Sequence, residues 1–156
     1  MNCLKTYLLI TLLIVLSTGI YGTSQEDDVV RIELFTTPGP VKSGDPSTAG
    51  FTITNVSAAH GNPQTVTIPF INLFGEKQTV TGVFPPGSVT SSGGNSEVTW
   101  TDVVTLPPGA SITYIVETTV GDVTGLKEIL DSLFILIETS TGTREYILEE
   151  TIPVEG

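Results

Sequence analysis

The feature that most constrains this chain is its punctuation: short runs of alternating apolar and polar residues, cut repeatedly by glycine and proline. Val30, Ile32 and Leu34 share one face of the run 29–35 at a period of two, and Pro38-Gly39-Pro40 ends it. Lys42-Ser43-Gly44-Asp45-Pro46 makes the next turn, and Phe51 and Ile53 then share a face before His60-Gly61-Asn62-Pro63. Helices need apolar residues three and four apart over longer windows, which these interrupted runs do not supply. Short strands with Gly/Pro turns and abundant Thr and Val predict an all-β fold, an antiparallel β-sandwich of about seven to nine strands.

The run 64–74 is extended and apolar, with no charge before Glu76. Pro69 lies inside it and cannot donate to a ladder, so the run belongs at an edge or contains a bulge. Further strands are expected in 77–84, 97–101 and 111–120, and Ser91-Ser92-Gly93-Gly94-Asn95 reads as a flexible loop. Residues 124–133 are ambiguous, because Leu126, Ile129, Leu130 and Leu133 fit helical spacing. One short helical turn is expected there, followed by two strands joined through Ser140-Thr141-Gly142-Thr143.

The first residues have a different character. Lys5 precedes an apolar run, 7–16, and small or polar residues follow: Ser17, Thr18, Gly19, Gly22, Thr23 and Ser24. This is the layout of a secretory signal peptide over 1–24, cut after Ser24 or, alternatively, after Gly22 or Gly19. The competing reading is an uncleaved anchor, which the shortness of the run disfavours against a bilayer core of roughly 30 Å. The domain expected after cleavage is a single sandwich over 25–156, extracellular or at the cell surface, with no membrane contact of its own. The sole cysteine, Cys3, lies in the leader, so no disulfide and no thiolate chemistry are expected in the domain. Seventeen acidic residues against six basic ones give a charge of −11, which excludes nucleic acid as a partner because phosphate neutralisation needs Lys and Arg.

Two stretches carry a family resemblance. Val41-Lys42-Ser43-Gly44-Asp45 is followed by Phe51-Thr52-Ile53-Thr54-Asn55-Val56-Ser57, and later Val98-Thr99-Trp100 by Leu106-Pro107-Pro108-Gly109-Ala110-Ser111-Ile112-Thr113-Tyr114. Together they resemble the immunoglobulin-like repeat called domain of unknown function eleven, found in bacterial and archaeal surface proteins. The likeness spans roughly residues 28–138. It implies an extracellular structural or adhesive role and no catalytic residues. Physically, Phe51, Trp100 and Tyr114 suit the core of a sandwich better than a sugar-stacking surface, because they alternate with threonine.

Chemistry-bearing residues are sparse. The lone histidine, His60, sits in a turn without a nucleophile-elbow motif, and no catalysis is expected from it. Asp27-Asp28 and Glu149-Glu150 are the densest acidic pairs, but neither has calcium-loop spacing, so no metal and no cofactor are expected. Asn55-Val56-Ser57 matches the glycosylation acceptor pattern, making Asn55 a candidate modification site. Val30, Ile32 and Leu34 form a strand close to the cleavage zone, and 64–74 lacks charged gatekeepers. A near-terminal strand and an unprotected edge are the parts needed for strand donation between subunits. Pairing of 29–35 within its own domain is the competing reading.

The expected function is therefore a non-enzymatic, secreted or surface structural protein, its specific form a pilus-like filament subunit assembling by donation of Val30, Ile32 and Leu34. The alternative is a monomeric adhesion module that recognises a glycan or protein through the loops 60–63 and 88–96. Partners are accordingly a second copy, another surface protein or a glycan.

Overall fold

The structure, a computed structural model, describes residues 21–155. The expected leader therefore falls mostly outside the described residues, and only its small-residue end, from Tyr21 on, is seen.

Eleven strands form two sheets packed face to face. In chain order they are β1 (Tyr21–Glu26), β2 (Val30–Thr36), β3 (Pro46–Asn55), β4 (Val66–Gly75), β5 (Gln78–Phe84) and β6 (Ser88–Ser92). They continue with β7 (Asn95–Trp100), β8 (Val104–Leu106), β9 (Ser111–Val120), β10 (Glu128–Thr139) and β11 (Gly142–Pro153). One sheet has the order β1-β2-β3-β9-β5; the other runs β11-β10-β4-β7-β6, with β8 also paired to β4. All named strand pairs are antiparallel. The expected immunoglobulin-like sandwich is thus present, with more strands than the anticipated seven to nine because β1 overlaps the residues read as the end of the leader, β6 runs into the residues read as a loop, and β8 is only three residues long.

The core follows from alternation. Val30, Ile32 and Leu34 of β2, Phe51 and Ile53 of β3, and Leu133, Ile135 and Ile137 of β10 point between the sheets and are buried. Phe51 stacks on its register partner Tyr114, centroids 4.8 Å apart, and Trp100 meets both rings edge-on at 5.6 and 5.0 Å. The three aromatics fill the core as their alternation with threonine implied. A second cluster of Val41, Val120, Val123, Ile129 and Ile152 closes one end of the sandwich.

Two expectations are corrected. Residues 124–133 form no helix: a turn leads into β10 at Glu128, and burial then alternates strictly from Ile129 to Ile137. The helical spacing arose because β10 is apolar on both faces, so Leu130 on the outside and Ile129 and Leu133 on the inside mimic one helical stripe. The strand containing 64–74 is not at an edge. β4 lies between β10 on one side and β7 and β8 on the other, so it needs no charged gatekeepers. Pro69 fits because the ladder changes hands there: β4 pairs with β8 through Ile68 and with β7 from Ile71, and its register with β10 shifts between Leu136 and Glu138.

The turn after β5 is held by the core. The Trp100 indole N–H donates to Pro85 O at 2.8 Å, and a Cβ on Gly87 would lie 2.9 Å from that nitrogen and 3.0 Å from Thr99 O. Gly87→Ala is expected to destabilise the domain by about 1–3 kcal/mol through this overpacking. A thermal melt reads it, and an unchanged midpoint would show that the turn can move away.

Candidate interaction surfaces

The candidate donor residues lie inside their own domain. Val30, Ile32 and Leu34 are fully buried, and β2 is paired along its length to β1 and β3. The intramolecular pairing weighed above is the arrangement this structure has. β2 is also pinned at its start. Asp27 Oδ1 accepts the backbone N–H groups of Val29 and Val30 at 2.8 and 2.9 Å, while Oδ2 accepts the Tyr146 hydroxyl at 2.6 Å and Arg144 at 3.0 Å. Arg144 also donates to Asp28 at 2.7 Å. Partial burial opposes the Asp27 charge, but Tyr146, the two backbone donors and Arg144 together hold its carboxyl below the usual range. The acidic pair 27–28 is therefore a clamp between the two sheets, with Asp27 Oδ1 on the β2 backbone and Asp27 Oδ2 and Asp28 Oδ1 on β11 side chains.

Asn55 is buried, and its amide is fully used. Nδ2 donates to Gln64 O at 2.7 Å and to Leu106 O at 2.9 Å, while Oδ1 accepts from the Ser57 amide and hydroxyl at 3.1 and 2.6 Å. A glycan requires that nitrogen to be free and exposed. The Asn-Val-Ser triplet is thus corrected from a candidate modification site to a structural lock that ties the end of β3 to the strand pair β4–β8.

The two candidate loops do not form one surface. His60 lies near the start of β4 and pairs with Glu26 at 3.1 Å, whereas Ser96 is the register partner of Gly75 at the end of β4. They sit at opposite ends of the sandwich. Moreover, 88–96 is mostly a β-hairpin, with Ser88 to Ser92 paired to β7.

Between the sheets a polar chain crosses the core. Thr118 donates to Gln78 Oε1 at 2.7 Å, Gln78 Nε2 donates to Asp131 Oδ1 at 2.8 Å, and Ser96 donates to Gln78 O at 2.5 Å. All four residues are buried, and Asp131 Oδ2 has no protein partner beside a small cavity that the group lines with Leu73 and Val98. Burial raises the Asp131 carboxyl to about 6, with Gln78 opposing and Glu150 adding to the rise.

Sequence reasoning missed the most distinctive surface. The outward positions of the five-stranded sheet are rich in hydroxyls, and Thr52–Thr113 and Thr54–Ser111 bond across β3 and β9 at 2.9 and 2.8 Å. One apolar row crosses it: Phe35 lies over Gly50, whose register partner Ile115 stands beside Phe84, and Ile115 and Phe84 are both exposed. The six-stranded sheet carries the larger apolar set. Its outward positions carry Phe70 and Phe74 on β4, Leu130, Phe134 and Leu136 on β10, and Ile147 on β11. The register places Leu136 beside Phe70 and Phe134 beside Ile147, and the Phe70 and Phe134 rings meet edge-on at 6.0 Å. Ile147 is 62% exposed, and Phe70, Phe74, Leu130, Phe134 and Leu136 are half-buried. The signal was in the sequence: apolar residues on both faces of β10, the same pattern that suggested a helix.

No family model matches the chain, and no curated protein matches it. Among solved structures, the chain is similar to the GAE domain of GGA2p from Saccharomyces cerevisiae, at 11% identity and a TM-score of 0.52, covering 85% of this chain and 98% of that one. It is also similar to the yeast GGA1 GAE domain, at 16% identity and a TM-score of 0.50, covering 85% and 99%. At such identities the likeness shows the fold alone: two antiparallel sheets in a sandwich.

Proposed function

We propose that this chain is an exported, non-enzymatic β-sandwich that binds another protein at the cell surface, and that it belongs with the immunoglobulin-like surface repeats it resembles. The observation that carries this reading is the apolar cluster on the outer face of the six-stranded sheet. A one-sided antiparallel sheet normally turns polar residues to water. The clustered Phe70, Phe134, Leu136 and Ile147 are what a binding face looks like instead.

The test is adsorption of labelled, exported protein to the cells that make it. Phe134→Ser is expected to weaken binding about 30-fold or more, as loss of a central aromatic anchor does. Thr113→Ser, on the opposite face, should leave it unchanged. Equal binding by both variants would remove the reading.

One observation favours a second reading, the filament. The anticipated cut after Ser24 falls inside β1, whose residues Tyr21 to Ser24 pair with Thr36 to Glu33 of β2. A cut there would leave that stretch of β2 without a partner, and a strand from a neighbouring subunit could fill it. In this version β2 accepts a strand, whereas the sequence suggested that it donates one. Mass spectrometry of the exported N-terminus with light scattering separates the cases: a chain beginning at Gln25 that polymerises supports the filament, and a monomer that keeps Tyr21 excludes it.

A further inference from the structure

The apolar face ends at an open edge. β11 pairs with β10 from Gly142 to Pro153; on its other side Val41 takes the C-terminal end, donating its N–H to Pro153 O at 2.9 Å, while no strand pairs with the stretch from Glu145 to Glu149. An edge strand directs alternate N–H and C=O groups away from its partner, ready to pair with another extended segment. Along this edge the outward side chains are Glu145, Ile147 and Glu149, all exposed, so an apolar residue stands between two acids.

We propose that the β11 edge binds an extended segment of another protein in which an apolar residue is flanked two positions away on each side by Lys or Arg. The proposal rests on the reading of this face as a binding surface. Side chains of an added strand alternate like those of β11, so three of them face outward beside Glu145, Ile147 and Glu149. A basic-x-apolar-x-basic segment places opposite charges beside both acids and continues the apolar stripe that runs from Phe70 through Phe134 to Ile147. Its pattern is symmetric, so it fits in either strand direction.

Charge also decides against a second copy. Two β11 edges pairing antiparallel about Ile147 would set Glu145 of each opposite Glu149 of the other, and like charges directly opposite are destabilising. The chain's overall charge of −11 opposes self-association further. The two glutamates act as gatekeepers against the chain itself while selecting a basic partner.

The probes are two synthetic peptides, Thr-Lys-Thr-Leu-Thr-Lys-Thr and its Glu-for-Lys counterpart, each end-capped and labelled, titrated by fluorescence anisotropy into the exported protein at low salt. The expected result is binding of the lysine peptide at least tenfold tighter than the glutamate peptide. In the Glu145→Lys, Glu149→Lys double variant the preference should reverse, and that reversal also shows that the variant is folded. N-methylation of alternate peptide amides facing β11 should abolish binding. Equal binding of both peptides, or a preference that survives the double charge change, overturns the proposal. If neither peptide binds while Phe134→Ser still reduces adsorption to cells, the edge assignment fails and the binding-face reading stands. If Phe134→Ser has no effect on cells either, both fail.

Discussion

Asn55→Ala is expected to lower the free energy of unfolding by about 2–3 kcal/mol, because it leaves a buried carbonyl and a buried amide without their partner and removes one of two donors from a part-buried carbonyl. The first carbonyl is that of Leu106, the amide is that of Ser57, and the second carbonyl is that of Gln64, which keeps the Ser57 hydroxyl at 3.1 Å. The loss is large against the ~5–15 kcal/mol that holds a typical domain folded. Asn55→Asp should be worse, since it replaces a donor by a carboxylate facing the same two carbonyl oxygens. Ser57→Ala should cost less, about 1–2 kcal/mol, because Asn55 keeps both of its donated bonds. Urea denaturation gives all three values. A modification-site reading predicts the reverse pattern, in which Asn55 and Ser57 variants lose the same added mass and change stability little.

The second large effect is a dependence of stability on pH. The buried Asp131 carboxyl is raised to about 6 in the fold from an ordinary value of 3.8. The folded state therefore holds the proton more tightly than the unfolded chain. The resulting stabilisation is full below pH 3.8 and is lost as pH rises through 6. Its whole span is about 3 kcal/mol, of which about 1.4 kcal/mol should disappear between pH 5 and pH 7.5. Thermal melts across that window should show a falling midpoint in the wild type and a flat one in Asp131→Asn, which keeps a hydrogen-bonding oxygen for Gln78. The groups around Asp131 are consistent with this sign, since Gln78, Thr118 and Ser96 are neutral and Glu150 adds negative charge. Asp27 works in the opposite direction. Its lowered carboxyl stabilises the fold above the unfolded pKa and is lost as pH falls through the folded one, so mildly acidic conditions are where the two effects balance. A wild-type midpoint that rises from pH 5 to pH 7.5 would show that Asp131 is ionised and solvated in the fold.

The fold was legible because period-two alternation and Gly/Pro turns depend on local sequence. Val30, Ile32 and Leu34, or Phe51 and Ile53, declare their buried face without reference to the rest of the chain. What was not legible depended on which strands become neighbours. The lack of charge in 64–74 reads as an unprotected edge until β4 is seen between β10 and β7. Asn55 reads as a glycosylation acceptor until Leu106, 51 residues away, is found at its amide. The helical spacing of Leu126, Ile129, Leu130 and Leu133 has the same origin as the apolar outer face, a strand that is apolar on its outside as well as its inside. Three neighbouring strands had to be aligned before Phe70, Phe134 and Ile147 could be recognised as one surface.

The central claim is that the outer face of β4, β10 and β11 contacts a protein partner. The most direct measurement puts a photo-reactive phenylalanine at Phe134 and, separately, at Thr113 on the opposite face, and irradiates the purified protein mixed with the cells that produce it. The account predicts a discrete cross-linked adduct of one defined mass from position 134 and none from position 113. Adducts from both positions alike, or from neither, would contradict it.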